Sequence, residues 1–405
     1  VDATLTDDVR PRLAALVTAL EEGGALRSPE WARVFAAVPR HVFVPRWYEQ
    51  ETTDNGITAW RLRDASDQGR DAWFSAAYSD RTLVTALDPA TAEPVGDRTW
   101  TGLPISSGTA PHLVAGMLEE LDVRDGHRVW AIGTGTGYLT ALLCTRLGSR
   151  LVHSSDIAPA LSEAARTRLA SLGLTPHLTV HDARYARYDH PEHPGRPDHP
   201  GRTGFDRVVA TCSVRSVPDA WLRGTRTGGA ILTDLDLGIE GGLVRVTVDG
   251  RHATGRFTRT TGRFMAARGD AHTYFRERRP PYAPEAATRS TTVTAADLRT
   301  HYAFRLLLAF HLPYAELVYH CAADGALSLQ IQRDGTWARS PITGERPGSV
   351  TYGGARDLWA TVEAAWRWWN EHGRPAQDRF GYACEPDGRH YVWHIPDGRR
   401  WDLTP

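Results

Sequence analysis

The sequence predicts a doubly wound α/β domain, a mostly parallel sheet with an antiparallel edge, followed by a smaller α+β unit. Three observations predict it. Val129, Trp130, Ala131 and Ile132 run straight into glycines at alternate positions (Gly133, Gly135, Gly137) and then an apolar-periodic segment, the pattern of strand, tight turn and helix. Short apolar runs continue to alternate with helical patterns as far as Leu232. Residues 243–248, the turn signal Asp249-Gly250 and residues 253–258 then read as a hairpin that closes the sheet antiparallel.

At 405 residues the chain has room for two domains and a substantial core. Apolar residues make up 41% and charged residues 23%, the balance of a globular protein rather than a disordered one. A net charge of −1 gives no global electrostatic case for nucleic acid or a membrane surface, and no apolar run is long enough to span a bilayer. The expected location is cytoplasmic. Every basic residue is arginine, which removes Schiff-base and lysine-base chemistry. The cysteines Cys144, Cys212, Cys321 and Cys384 lie far apart and support neither a zinc site nor a disulfide framework, so no metal is expected.

In chain order, residues 13–21 are helical in pattern and end at Gly23-Gly24. Ser28 is an N-cap candidate, with Pro29 at the first helical position of residues 28–38. Residues 39–45 read as an extended segment pinned by Pro39 and Pro45. Residues 46–100 read as a polar covering segment with short helices. Residues 105–112 form a hydroxyl-rich turn leading through Pro111 into a helix over 113–121. Hydroxyls and free N–H groups at a helix start suit a carboxylate or phosphate, but for this stretch taken alone simple N-capping is the favoured reading.

Glycines in the 133–137 turn permit positive φ and remove the Cβ atoms that would keep a ligand off the backbone. A second strand, residues 150–156, ends in Asp156, about twenty residues beyond the glycines, where a nucleotide-binding unit places the acid that holds two ribose hydroxyls. A helix over 159–172 and a third strand over 177–181 follow, and Asp182 stands at that strand's end. The glycine spacing, G-x-G-x-G rather than G-x-G-x-x-G, argues against a nicotinamide site.

Residues 189–204 carry His190, His193 and His199 among prolines; proline at every third or fourth position prevents a helix that would align metal ligands, so a surface loop is expected. Residues 205–212 and 228–233 read as the fourth and fifth strands, separated by a short helix over 217–222. The expected division is 1–275 for the α/β domain (1–104 its covering segment), 276–290 for a proline- and charge-rich linker, and 291–405 for the α+β unit. That unit has a helix around 295–311, four short strands, a tryptophan-rich helix over 358–369 and a hairpin through Asp387-Gly388. Trp359, Trp366 and Trp369 recur at helical spacing and read as core.

Four stretches together resemble the protein-L-isoaspartate O-methyltransferase family: Ala36-Ala-Val-Pro-Arg-His-Val-Phe-Val-Pro45, Thr109-Ala-Pro-His112, Ala131-Ile-Gly-Thr-Gly-Thr-Gly-Tyr-Leu-Thr140, and Val217-Pro followed by Thr227-Gly-Gly-Ala-Ile-Leu232. The resemblance implies a class I methyltransferase fold of seven strands and the cofactor S-adenosylmethionine. By the same resemblance Gly133, Thr134, Gly135, Thr136 and Gly137 take the methionine end, Asp156 and Ile157 the ribose, and Asp182 and Ala183 the adenine. Thr109, Ser107 and His112 stand on the acceptor side. Where relatives carry serine this chain has Thr109, preceded by Ser106, Ser107 and Gly108, which leaves open which hydroxyl positions the acceptor.

The tail resembles aspartate methyltransferases of actinobacterial clusters that tailor ribosomally made peptides. This implies a peptide or protein partner bearing Asp or isoAsp, an ester that closes to aspartimide, and no nucleic acid or membrane partner. Repair of isoaspartate in damaged proteins, and cofactor binding without catalysis, stand as alternatives. The oligomeric state is not assigned.

Overall fold

A computed structural model describes residues 8–52, 58–185, 204–269, 283–322, 324–343 and 347–404. It divides into two compact units: the first holds 1–212, 218–232 and 267–271, the second 213–217, 233–266 and 272–405.

In the first unit, α1 (Arg10–Glu22), α2 (Pro29–Ala37) and α3 (Arg40–Phe43) precede the hairpin β1 (Arg46–Thr52) and β2 (Thr58–Asp64). Helices α4 (Ala65–Gln68) and α5 (Arg70–Ala77) follow, then β3 (Leu83–Leu87), β4 (Pro94–Gly96), β5 (Thr99–Trp100) and β6 (Pro104–Gly108). The six strands form one sheet in the order β4-β5-β2-β1-β3-β6. Residues 46–100 are therefore a sheet with two short helices rather than a loose cover. Their polarity hid it: Arg63 on β2 is bound to Glu49 and Glu51 on β1, and Arg98 to Asp64, so ion pairs stand where an apolar alternation would have signalled strands. Residues 40–43 are one helical turn, not extended, and the hydroxyl-rich stretch at 105–108 is strand β6 rather than a turn.

The α/β core follows as expected. Helix α6 (Pro111–Leu121) leads to β7 (Val129–Ile132), α7 (Tyr138–Leu147), β8 (Val152–Asp156), α8 (Pro159–Ser171), β9 (His177–Val180), β10 (Phe205–Val214), α9 (Asp219–Gly224) and β11 (Thr225–Asp236). Strand order is β9-β8-β7-β10-β11, with β9, β8, β7 and β10 mutually parallel. All four residues of β7 are buried, and Trp130 stacks on Phe205 with ring centroids 5.5 Å apart, the double-sided burial of a central parallel strand. Of the 189–204 stretch only Gly204 lies within the described residues, and its three histidines fall outside them.

Strand β11 passes from the first unit into the second after Leu232. From its end the order in the second unit is β12 (Gly241–Asp249), β13 (His252–Phe257), then β19, β20 and β21. The β12–β13 hairpin closes with Asp249 opposite His252, so the two-residue loop is Gly250-Arg251, one residue later than expected. This hairpin is not the edge of a seven-stranded sheet. β13 pairs antiparallel with β19 (Ala253 opposite Cys384), which satisfies the backbone groups an edge would leave bare.

The rest of the second unit is β14 (Glu285–Thr291), α10 (Ala295–Thr300), α11 (Tyr302–His311), β15 (Glu316–Cys321), β16 (Leu327–Arg333), β17 (Thr336–Pro341), β18 (Gly348–Gly353) and α12 (Leu358–Glu371). It closes with β19 (Phe380–Cys384), β20 (His390–His394) and β21 (Arg400–Asp402). β14 to β18 make a five-stranded antiparallel sheet in the order β14-β18-β17-β16-β15. The expected boundaries thus shift: the end of the 276–290 linker is strand β14, residues 270–282 lie outside the described set, and the hairpin 241–257 belongs with the C-terminal residues. On α12, Trp359 and Trp369 are core as expected, whereas Trp366 is half-buried.

Candidate active site

The turn after β7 is built by the three glycines, each for a different reason. Gly133 has φ +88°, and a Cβ there would lie 2.7 Å from Thr211 Oγ1, so only glycine lets β7 and β10 close up. Gly137 has φ +93°, and its Cβ would press on Ala165 at 3.2 Å and on the Phe43 ring at 3.4 Å, which makes it the packing glycine of α7. Gly135, φ +51°, has only Ser106 Oγ (3.6 Å) and the Gly133 carbonyl oxygen near its Cβ position. It is the open member of the set.

Hydrogen bonds fix the turn to β8. The Gly133 and Thr134 N–H groups donate to the Ser155 carbonyl, and Thr134 Oγ1 meets Ser154 Oγ at 2.7 Å. Thr134 and Thr136 are buried, so their side chains support the turn rather than line its mouth. The Thr136 carbonyl accepts from Arg168. Asp156, only 9% exposed, receives the Gly135 N–H on Oδ2 (2.8 Å) and the Ala158 N–H on Oδ1 (2.9 Å). One carboxylate therefore ties the turn to the start of α8. A carboxylate offers about four lone-pair sites, so two hydroxyl donors can still be accepted. Ile157, next to it, is half-buried.

Beyond β9, Asp182 is held by Arg184, with Nη2 to Oδ2 at 2.7 Å and Nε and the backbone N–H of Arg184 on Oδ1. Burial pushes the Asp182 carboxyl up, but the Arg184 bonds outweigh it and keep it below the ordinary carboxylate range. Ala183 is buried, and its carbonyl accepts from the Trp221 indole (3.0 Å). Arg184 also donates to the Ala267 carbonyl. The Asp182 carboxylate is thus already committed to a neighbouring guanidinium.

On the acceptor side the alternation of β6 puts Ser106 and Ser107 on opposite faces. Ser106 is buried and faces the turn at Gly135; Ser107 is half-buried and pairs with Val84. The sequence leaves open which of Ser106, Ser107 and Thr109 faces the site, because 105–108 reads as a turn; a strand assignment separates the two serines. The register between β3 and β6 slips at Thr85, and the Thr85 hydroxyl donates to Ser106 Oγ (3.0 Å), the re-aiming a bulge produces beside a site. Thr109 is half-buried, with its carbonyl bonded to Arg40 Nη2. His112 is exposed at the start of α6, and Asp80 Oδ1 accepts from both its backbone N–H (2.8 Å) and its Nδ1 (3.0 Å). Arg40, Asp80, Thr82 and Thr85 all serve this segment from elsewhere in the chain, and none carried a local signal of its own. Among the described residues no group of three or more His, Cys, Asp or Glu side chains is placed to hold a metal.

The order β9-β8-β7-β10-β11, its first four strands parallel, with a glycine turn after β7 and an acid closing β8, is that of a class I S-adenosylmethionine-dependent methyltransferase fold. Residues 91–260 match the family described as Protein-L-isoaspartate(D-aspartate) O-methyltransferase (PCMT). Protein-L-isoaspartate O-methyltransferases similar to this chain include one from Methylorubrum populi, 37% identical over 150 residues (36% of this chain, 63% of that protein). Another, from Ignicoccus hospitalis, is 31% identical over 140 residues (34% and 61%), and one from Rhodospirillum rubrum is 33% identical over 197 residues (48% and 78%). The chain belongs to the protein-L-isoaspartate O-methyltransferase family. Its match spans less than two thirds of the length of the first two of these relatives.

Proposed function

We propose that the chain is an S-adenosylmethionine-dependent carboxyl O-methyltransferase whose acceptor is an aspartate side chain of a ribosomally made peptide. The observation that carries the reading is the seating of β6 on the glycine turn, with Ser106 Oγ 3.6 Å from the Cβ position of Gly135. A hydroxyl-bearing strand thereby faces the one open glycine of a cofactor turn. When bound, the cofactor supplies an electrophilic methyl on a sulfonium. Asp156 has the spare acceptor capacity for a ribose, and the glycines leave the turn's backbone approachable for the methionine end.

The chemistry asks little of the acceptor side. A carboxylate with a reference pKa of about 4 is already ionised at neutral pH, so no general base is required. Alignment and exclusion of water are the demands. Thr109 and the Ser106–Thr85 pair supply hydroxyl donors for alignment, and Asp80 holds His112 in one orientation beside them. Once the ester forms, the following backbone nitrogen displaces methoxide and closes an aspartimide. The proton of that nitrogen leaves with the alcohol.

Support for a peptide-tailoring role, over repair of isoaspartate, is the extent of chain beyond the family match. A five-stranded sheet and the tryptophan-bearing α12 lie C-terminal to residue 260. Similarity to protein-L-isoaspartate O-methyltransferases supports isoaspartate as the acceptor in the second reading. Incubation with labelled methyl donor and matched peptides containing L-Asp or L-isoAsp separates them. Turnover confined to an Asp peptide supports tailoring. Brisk turnover of a short isoAsp peptide, with none of Asp, supports repair and sinks the tailoring reading.

A further inference from the structure

We propose that Arg40 is a positioning residue for methyl transfer, a buried guanidinium that sets where Thr109 stands relative to the glycine turn. The proposal rests on the carboxyl-methyltransferase reading above. Arg40 is 0% exposed. Nη1 donates to the carbonyls of Ala77 (2.6 Å) and Ser79 (3.0 Å), and Nη2 to those of Arg81, Gly108 and Thr109, each at 3.1 Å. The five acceptors come from two segments far apart in the chain, the loop after α5 and the junction of β6 with α6.

The same two segments are tied twice more. Thr82 Oγ1 accepts the Ala110 N–H (3.2 Å), and Asp80 Oδ1 accepts the His112 N–H (2.8 Å). Residues 77–82 and 108–112 are thus laced into one body, with Arg40 as its largest knot. All five hydrogen-bond partners of its Nη groups are backbone carbonyls, and burial pushes its guanidinium pKa down. A buried cation is costly to desolvate unless its donors are met. The two Nη groups are met by five carbonyls while Nε has no hydrogen-bond partner, and that planar spread of contacts is one a lysine ammonium with three donors cannot reproduce.

A purely structural role would spread its effects over the whole unit. Here the geometry separates two sides. The turn's hydrogen bonds run to Ser154, Ser155, Asp156, Arg168 and Thr211, and none runs to Arg40, whose Cζ stands 5.9 Å from the centroid of the Tyr138 ring at the start of α7. Arg40 holds the backbone of Thr109 itself, at the end of the strand on which Ser106 faces Gly135. Loosening Arg40 should therefore move the acceptor and leave the donor where it is. A misplacement of about 1 Å can cost on the order of 100-fold in rate.

The test uses the full chain and two variants, Arg40→Lys and Thr82→Val. It reads amide exchange across residues 108–113, S-adenosylmethionine affinity by calorimetry, and kcat and KM on the Asp and isoAsp peptides. Arg40→Lys is expected to lose protection at Ala110 and His112 and to lose about 100-fold in kcat, with cofactor affinity unchanged. Thr82→Val should move the same readouts in the same direction by less. Wild-type exchange and kcat in Arg40→Lys would overturn the proposal, as would a loss of cofactor affinity matching the loss of rate. Should Arg40→Lys fail to fold, Thr82→Val decides by the same readouts. If the wild type methylates neither peptide, the functional reading fails, while exchange and cofactor affinity still judge Arg40.

Discussion

The glycine turn at 133–137 and the segment at 104–112, the proposed donor and acceptor sides, lie against each other yet are specified in opposite ways. The turn at 133–137 is fixed mainly by its own glycines and by Ser154, Ser155 and Asp156 of the next strand, some twenty positions away, with Arg168 and Thr211 donating to its carbonyls. The acceptor segment at 104–112 is fixed by Arg40, Asp80, Thr82 and Thr85, each brought from a separate element. The first is a local motif that any chain can carry. The second exists only once the six-stranded sheet and α3 are folded. Affinity for the cofactor should follow the first, and turnover the second.

The sharpest break between them is predicted within the turn. Gly133→Ala combines a strained φ, worth roughly 1–3 kcal/mol, with a Cβ 2.7 Å from Thr211 Oγ1. It should lose most cofactor binding and lower Tm by several degrees. Gly135→Ala meets nothing closer than 3.6 Å. It should lower stability by only about 1 kcal/mol, from the left-handed backbone, while its Cβ stands in the open mouth of the turn and weakens cofactor binding. Comparable losses of Tm in the two variants would contradict the division of labour among the glycines.

A smaller effect is expected across the boundary. Thr109→Val keeps the backbone carbonyl that Arg40 holds and removes only the hydroxyl. Steady-state kinetics should show kcat falling about tenfold, the worth of one hydrogen bond at about 1.4 kcal/mol, with the KM for cofactor unchanged. A rise in that KM would move Thr109 to the donor side.

The smallest effect concerns acid. Burial, with a lesser contribution from Arg70, pushes His41 down to about 4; it is packed against Trp73 and Phe74 and bonded to Tyr78. A group with a depressed folded pKa is neutral in the native state and takes up its proton on unfolding. Its contribution is present above the ordinary histidine value near 6.5 and is lost as pH falls toward 4. His311 and His390, in the second unit, are shifted the same way by burial. Tm should therefore fall as pH drops through this window, and His41→Phe should make the fall shallower without abolishing it. An unchanged slope would remove His41 from the account.

Legibility followed the same divide. β7, the glycine turn, α7 and the acid ending β8 could be read because strand, turn and helix signals are contiguous and the glycines announce their own φ. The sheet at 46–108 could not, because Arg63, Glu49, Glu51 and Asp64 occupy positions where apolar residues would have shown the alternation. The pairing of β13 with β19 joins residues on either side of the whole 258–379 stretch, and no local pattern encodes it. Arg40 was visible only as one letter of a familiar stretch; its five carbonyl partners come from the folded chain. Which serine faces the site was hidden by a turn assignment that a two-residue periodicity would have corrected.

The central claim is that donor and acceptor are held by separable sets of residues, with Asp156 on the donor side. Calorimetric titration of S-adenosylmethionine into the wild type, Asp156→Asn and Thr109→Val tests it most directly. The account predicts saturable binding to the wild type, binding weakened about 10- to 100-fold in Asp156→Asn, the worth of hydrogen bonds to a charged group, and wild-type affinity in Thr109→Val. Wild-type affinity in Asp156→Asn, or equal weakening in both variants, would contradict it.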